Sequence, residues 1–283
     1  MFQIEYKSKN GSIIFGGGNN PSANIISLDG FEFPARSYTN IEFAGENGIT
    51  TIGKKDMQRT MTITGTVRGD QYIRDHMCKV LYEDGELYCI FDNVRRKIAC
   101  KCTNLDSLQR AGRSNISKFA FQLVADYPYF KDFFDTDLPL FREHNTVTDT
   151  FTLPCVFTER ISSAEVNNIG DKPVYPVIHI ENGDNEDSSG AGLTVQNLTT
   201  GAEIILPDYI MRKNEKITVD LARRRITSSE SGNITYRIST ETPDLSKFYL
   251  DVGINELCFV NGTNQKQINA HIVFSPEYYT AMR

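Results

Sequence analysis

The run Val166-Asn167-Asn168-Ile169-Gly170 leads into Lys172-Pro173-Val174-Tyr175-Pro176-Val177-Ile178-His179-Ile180-Glu181-Asn182-Gly183, and, after a polar loop, Leu193-Thr194-Val195-Gln196-Asn197-Leu198-Thr199-Thr200-Gly201 leads into Ala202–Leu206. Val174, Tyr175, Val177, Ile178 and Ile180 are β-branched or aromatic and lie between Gly-containing turn signals, which predicts a strand. Pro173 and Pro176 cannot donate to a ladder, so that strand begins at a sheet edge or at a lead-in bend. Leu193 to Gln196 is a second strand, and the Asn197–Gly201 segment turns it into a third over Ala202 to Leu206. Strand, polar loop, strand, tight turn, strand is how a β-sandwich opens.

An Asn-x-Gly turn ahead of a Pro-flanked apolar strand, followed by Val-x-Asn-x-Thr-x-Gly, resembles the start of the carboxy-terminal domain of distal tail proteins from long-tailed bacteriophages. The resemblance extends more weakly over the whole chain, and its motifs are turn chemistry, not catalytic signatures. It implies a mostly β fold with one covering α-helix. The amino-terminal domain would be a tail-tube-like β-sandwich or barrel with a projecting β-arm, and the carboxy-terminal domain a galectin-like β-sandwich. It also implies a structural virion protein of the tail tip, assembled in the bacterial host cytoplasm as a homohexameric ring. The implied partners are the tail tube protein, the tail-tip hub (tail-associated lysin) protein, the tape measure protein and receptor-binding proteins. DNA would be in transit through the lumen.

At 283 residues, two domains are the better expectation, and 40% apolar with 23% charged residues suits ordinary globular cores. We expect a first domain over 1–134, a linker over 135–150, where the pattern loses its period around Pro139, and a second domain over 151–283, with Phe151–Phe157 a strand that opens the second domain or returns to the first. No stretch approaches a membrane span, and Met1–Lys7 lacks the pattern of a secretion signal, so folding in a cytoplasm is expected. The six cysteines then read as free thiols. His76, His144, His179 and His271 are scattered, with none at ligand spacing, so no metal is expected. Asp184, Glu186 and Asp187 suit a solvated loop better than a calcium site. A net charge of −6 argues against a basic nucleic-acid surface.

In the first half, Phe2–Tyr6, Ser12–Phe15, Ala23–Leu28, Ile41–Phe43 and Thr60–Val67 read as strands. The glycines Gly16–Gly18 precede a strand and not a helix, so a loop is expected there and not a phosphate site. Between Ile41–Phe43 and Thr60–Val67 runs Ala44-Gly45-Glu46-Asn47-Gly48-Ile49-Thr50-Thr51-Ile52-Gly53-Lys54-Lys55-Asp56-Met57-Gln58, too long for a common hairpin loop and poor in core-sized residues. Gly45 to Gln58 therefore projects, either as a surface loop or as an arm clasping a neighbour. The resemblance implies the second, a belt across the next subunit. One helix is expected over Gln71–Glu83, capped by Asp70, with Ile73, Met77, Val80 and Leu81 on one face. Glu86–Phe91 with Val94–Cys102 and Leu105–Arg110 with Ile116–Val124 read as hairpins, the first turning at Asp92-Asn93. The strand runs into Tyr127-Pro128-Tyr129-Phe130 and then Phe133-Phe134, a sequence like that closing the family's ring domain.

Further strands are expected over Ile217–Asp220, Arg225–Thr227, Ile234–Ile238, Phe248–Leu250, Glu256–Val260 and Ile268–Phe274. Arg223-Arg224-Arg225 suits a peripheral docking contact or a wet edge. No Gly-x-Ser-x-Gly elbow, His-Glu-x-x-His helix, Walker loop or Cys/His cluster occurs, so no enzyme and no cofactor is expected. A carbohydrate-binding module built on the second sandwich is the alternative. It lacks tryptophan for a sugar platform, although Tyr175, Tyr209 or Tyr236 could stack.

Overall fold

The computed structural model describes residues 2–17, 23–45, 47–68, 71–110, 116–140, 163–183, 186–188, 192–242, 244–261 and 268–282. Its elements begin with strands β1 (Phe2–Ser8), β2 (Gly11–Gly16), β3 (Ala23–Asp29), β4 (Arg36–Ile41), β5 (Thr50–Asp56) and β6 (Arg59–Arg68), then helix α1 (Gln71–Leu81). Next come β7 (Gly85–Phe91), β8 (Val94–Arg110), β9 (Ile116–Ala125), β10 (Phe130–Asp132), β11 (Thr136–Pro139), β12 (Ser163–Asn168) and β13 (Val177–Asn182). The rest are β14 (Leu193–Asn197), β15 (Ala202–Leu206), β16 (Lys216–Asp220), β17 (Arg225–Ser228), β18 (Gly232–Asn233), β19 (Gly253–Asn261), β20 (Ile268–Phe274) and β21 (Glu277–Tyr278). Among the described residues the fold is mostly β with one α-helix, as the sequence implies.

The chain divides into a first unit, Met1–Phe133 with Glu277–Arg283, and a second unit, Phe134–Pro276. This differs from the expected boundaries in two respects. Glu277–Arg283 belong to the first unit, because β21 pairs with β10. Thr136–Pro139 are a strand of the second unit and not linker, because β11 pairs with β20. The strand expected over Phe151–Phe157 lies outside the described residues.

The first unit has a large curled sheet ordered β2-β1-β7-β8-β9-β6-β3, with β10 paired to β8 and to β21 off this path. The alternation of β6 puts Arg59, Met61, Ile63, Gly65 and Val67 on one face, and all of these positions are buried. β2 and β3 stand at opposite ends of the order yet come together, so the core lies inside the curl. There Phe15 of β2 meets Phe119 and Phe121 of β9 at ring-centroid distances of 5.4 and 5.2 Å. Met77, Val80 and Leu81 of α1 are buried with this core, while Tyr72 and Tyr82 are exposed. The expected cap, Asp70, lies outside the described residues, as do residues 18–22 of the glycine loop.

β8 runs unbroken through the point where the sequence suggested two strands. Register shifts between Cys102 and Asn104 and between Asp106 and Gln109 explain the misreading, since each bulge interrupts the period-2 pattern. Its hairpin with β7 turns at Asp92, whose φ of 52° is the left-handed conformation that Asp tolerates.

The second unit has a six-stranded sheet, β11-β20-β13-β16-β17-β18, and a four-stranded one, β12-β19-β14-β15. Apolar residues of both, such as Ile178, Ile180, Val195, Ile204, Leu257 and Ile272, form one core. β13 lies inside its sheet, so the prolines mark the lead-in bend and not an edge: Val174 bridges Leu250 before the strand begins at Val177. Buried asparagines hold the turns. Asn197 Oδ1 accepts from the amides of Thr199 (3.0 Å) and Thr200 (3.2 Å), and its Nδ2 donates to the Tyr249 carbonyl at 2.8 Å. Ile234–Ile238, expected as a strand, is a 3-10 turn over Thr235–Arg237, started where the Asn233 carboxamide accepts from the Thr235 amide.

Candidate functional site: a projecting hairpin and its clamped root

β4 and β5 form a two-stranded sheet of their own, registered from Arg36↔Asp56 to Ile41↔Thr50 with one bulge at Thr39/Asn40. The segment read as a loop or arm, Gly45 to Gln58, is thus the tip and second strand of a hairpin whose first strand lies upstream of the expected Ile41–Phe43. Glu46 lies outside the described residues. Every β4 side chain is exposed. So are the apolar groups near the tip: Phe43 is 53%, Ile49 60% and Ile52 59% exposed, with Tyr38, Ile41 and Met57 also exposed. An isolated two-stranded hairpin is marginal in water, so this one needs either an anchored base or a partner surface.

The base is anchored. Arg36 Nε donates to Asp56 Oδ1 at 3.0 Å, the Tyr129 hydroxyl donates to Asp56 Oδ2 at 2.7 Å, and the Met57 amide donates to the Ala35 carbonyl at 2.7 Å. Burial alone would raise the Asp56 carboxyl pKa, but the hydrogen bonds from Tyr129 and Arg36 outweigh it and hold it below its ordinary value.

Behind the base sits Arg59, 1% exposed. Its Nε donates to the Pro128 carbonyl at 2.7 Å, Nη1 to the carbonyls of Gly30 (2.8 Å) and Glu32 (3.0 Å), and Nη2 to that of Tyr279 at 2.6 Å. Its guanidinium carbon lies 4.7 Å from the centre of the Phe130 ring. Burial pushes its pKa down to about 10, which still leaves it charged at neutral pH. One cation therefore gathers the approach to the hairpin, the β9–β10 turn and the C-terminal segment. Arg96 adds a second clamp, stacking 3.6 Å over the Tyr278 ring and donating to the Thr280 carbonyl. The Ala281 amide donates to the Phe31 carbonyl, and the Tyr127 hydroxyl to Glu277.

Sequence reasoning missed both arginines and the C-terminal return. Parity offered a signal for Arg59, since it shares the inward face of β6 with Met61 and Ile63. The C-terminal return had none, because β10 and β21 pair across the whole second unit.

Arg223 and Arg224 lie in the turn between β16 and β17, and Arg225 is the first residue of β17. All three are exposed. Asp220 accepts from the Arg223 amide at 2.9 Å, and Arg224 has a φ of 54°. They form a basic loop tip. A pocket of about 320 Å³ opens elsewhere in the second unit, lined by Asp187, Asp208, Arg212 and Arg237 with Tyr209 and Glu215 beneath. Tyr209 is buried and its hydroxyl donates to Glu215 at 2.6 Å, so it offers no stacking face for a sugar. Tyr175 and Tyr236 are exposed.

No family model and no curated protein matches the chain. Among solved structures, the SPP1 Dit (gp 19.1) protein, described as a paradigm of hub adsorption apparatus in phages infecting Gram-positive bacteria, aligns at a TM-score of 0.64 and 13% identity, over 98% of this chain and 99% of its own. The phage p2 baseplate in its activated conformation, with calcium or strontium, aligns at a TM-score of 0.48 and 8% identity over 97% of each chain. Over nearly its whole length, this chain has the fold of SPP1 Dit.

Proposed function

We infer that the chain is a structural protein of a phage tail tip. Copies of the first unit form a homohexameric ring that joins the tail tube to the tail-tip hub and leaves a channel for DNA. The second unit carries docking surfaces for receptor-binding or peripheral tail proteins, with the Arg223–Arg225 loop tip as one contact. The observation that carries this reading is the β4–β5 hairpin, together with the fold shared with SPP1 Dit. Its apolar side chains stay about 40–60% exposed in the described chain, while its base is fixed by Asp56 and Arg59. Covering one such side chain fully is worth about 1.5–3 kcal/mol, enough for a few of them to favour docking across a neighbouring copy.

Negative-stain imaging and native mass spectrometry of the purified protein test this. A sixfold annulus is expected, and a hairpin shortened across residues 42–49 should abolish it while both units stay folded. Solitary molecules in solution and in the native particle, or rings that persist without the tip, would refute the assignment.

A further inference from the structure

On the six-stranded sheet of the second unit, Asp137, His271, His179 and Thr218 follow one another across β11, β20, β13 and β16. His179 is in register with His271 on one side and Thr218 on the other. Asp137 lies on β11 two residues before Pro139, the residue opposite His271. Ile178, Ile180, Ala270 and Ile272 point into the core, so both imidazoles face outward, half-buried, with ring centroids 4.9 Å apart.

Both rings are oriented through the same nitrogen. His271 Nδ1 lies 2.7 Å from Asp137 Oδ1, and His179 Nδ1 lies 3.1 Å from Thr218 Oγ1. A carboxylate can only accept, so His271 donates from Nδ1; the Thr218 hydroxyl can accept from His179 Nδ1 or donate to it, according to the tautomer. With the proton on Nδ1 in both rings each Nε2 keeps its lone pair, and among the described residues neither Nε2 makes a hydrogen bond. A carboxylate behind a histidine is the arrangement that fixes the tautomer and raises the basicity of metal-ligating imidazoles.

The geometry points to a chelate for a divalent late transition-metal ion, zinc, nickel or copper, held by His179 Nε2 and His271 Nε2 with water at its remaining positions. Imidazole nitrogen suits these ions, whereas calcium and magnesium demand oxygen. Zn–N bonds of about 2.1 Å at a tetrahedral ion set the two nitrogens roughly 3.4 Å apart, and the ring centroids lie 4.9 Å apart. Among the described residues no three His, Cys, Asp or Glu side chains converge on a metal position, so the site has two protein ligands and binds weakly. Glu181, on the same face of β13, is held by Lys216 at 2.8 Å and adds negative potential, not a bond. The ion would staple β13 to β20, whatever the assembly state of the first unit.

The test uses the full-length protein with isotope-labelled histidines, titrated with zinc chloride and followed by imidazole NMR. The His179 and His271 resonances should move together at micromolar zinc, while the His76 resonance stays put. His179→Asn and His271→Asn should each weaken binding by at least tenfold, and Asp137→Asn by about tenfold through loss of the orienting carboxylate. Calcium chloride should have no effect. Both side chains face outward, and His179→Gln replaces the Asn variant if that one misfolds. Unchanged zinc affinity in either single-histidine variant, or zinc-dependent shifts confined to His76, would overturn the assignment.

Discussion

The β4–β5 and β14–β15 hairpins are built from the same antiparallel pairing, yet they use their side chains in opposite ways. In β14–β15, Leu193 faces Leu206 and Val195 faces Ile204, and all four are buried in the chain's own core. In β4–β5 the apolar residues stay in the open, and the ordering comes from the base: Arg36, Asp56, Tyr129 and Arg59. A hairpin can thus be held by its faces or by its foot, and only the second kind leaves its faces for another molecule.

The comparison breaks most severely at Arg59. Arg59→Met removes a buried cation and strands four carbonyls, for an expected loss of about 3–5 kcal/mol. Chemical denaturation would measure it, with hydrogen exchange showing early loss of protection at the Met57 and Ala281 amides. Asn197→Ala attacks the hairpin held by its faces, and removal of its buried turn bonds should cost about 1–3 kcal/mol. Exchange rates should rise across β14 and β15 and stay unchanged in β4 and β5.

A pH titration sharpens the contrast at a smaller scale. The folded Asp56 carboxyl has a pKa below its unfolded value, so its contribution is fully present above about pH 4–5 and is lost as pH falls through the folded pKa. At this partly exposed pair the loss is about 1 kcal/mol or less. Protection of the Met57 amide should fall with it, and Asp56→Asn should remove that pH dependence. Ile52→Ser should change the stability of the isolated chain by less than about 0.5 kcal/mol, while weakening self-association measured by analytical ultracentrifugation. Unaltered association would mean that the face of the hairpin is idle.

Legibility in the sequence followed the same division. β13 to β15 were readable because alternation and the Asn197 turn act locally, and α1 because its apolar residues fall on one face. β4 was not, since Arg36-Ser37-Tyr38-Thr39-Asn40-Ile41 is exposed on both faces and carries no period. Ile234–Ile238 shows the converse error: alternating apolar residues imitate a strand, but local side-chain bonding from Asn233 curls the backbone into a 3-10 turn. Arg59 and the two histidines draw their meaning from partners distant in the chain, which no local pattern encodes.

The pairing of β10 with β21 makes the second unit a passenger spliced into the first, with both of its ends returned to the same seam. A fluorescent or affinity label grafted after Met282 would therefore mark the body that bears the hairpin, and not the sandwich that precedes it in the sequence. Expression of the sandwich alone calls for a cut at both ends, Phe134 and Pro276, and a premature stop inside it would cripple the other unit as well.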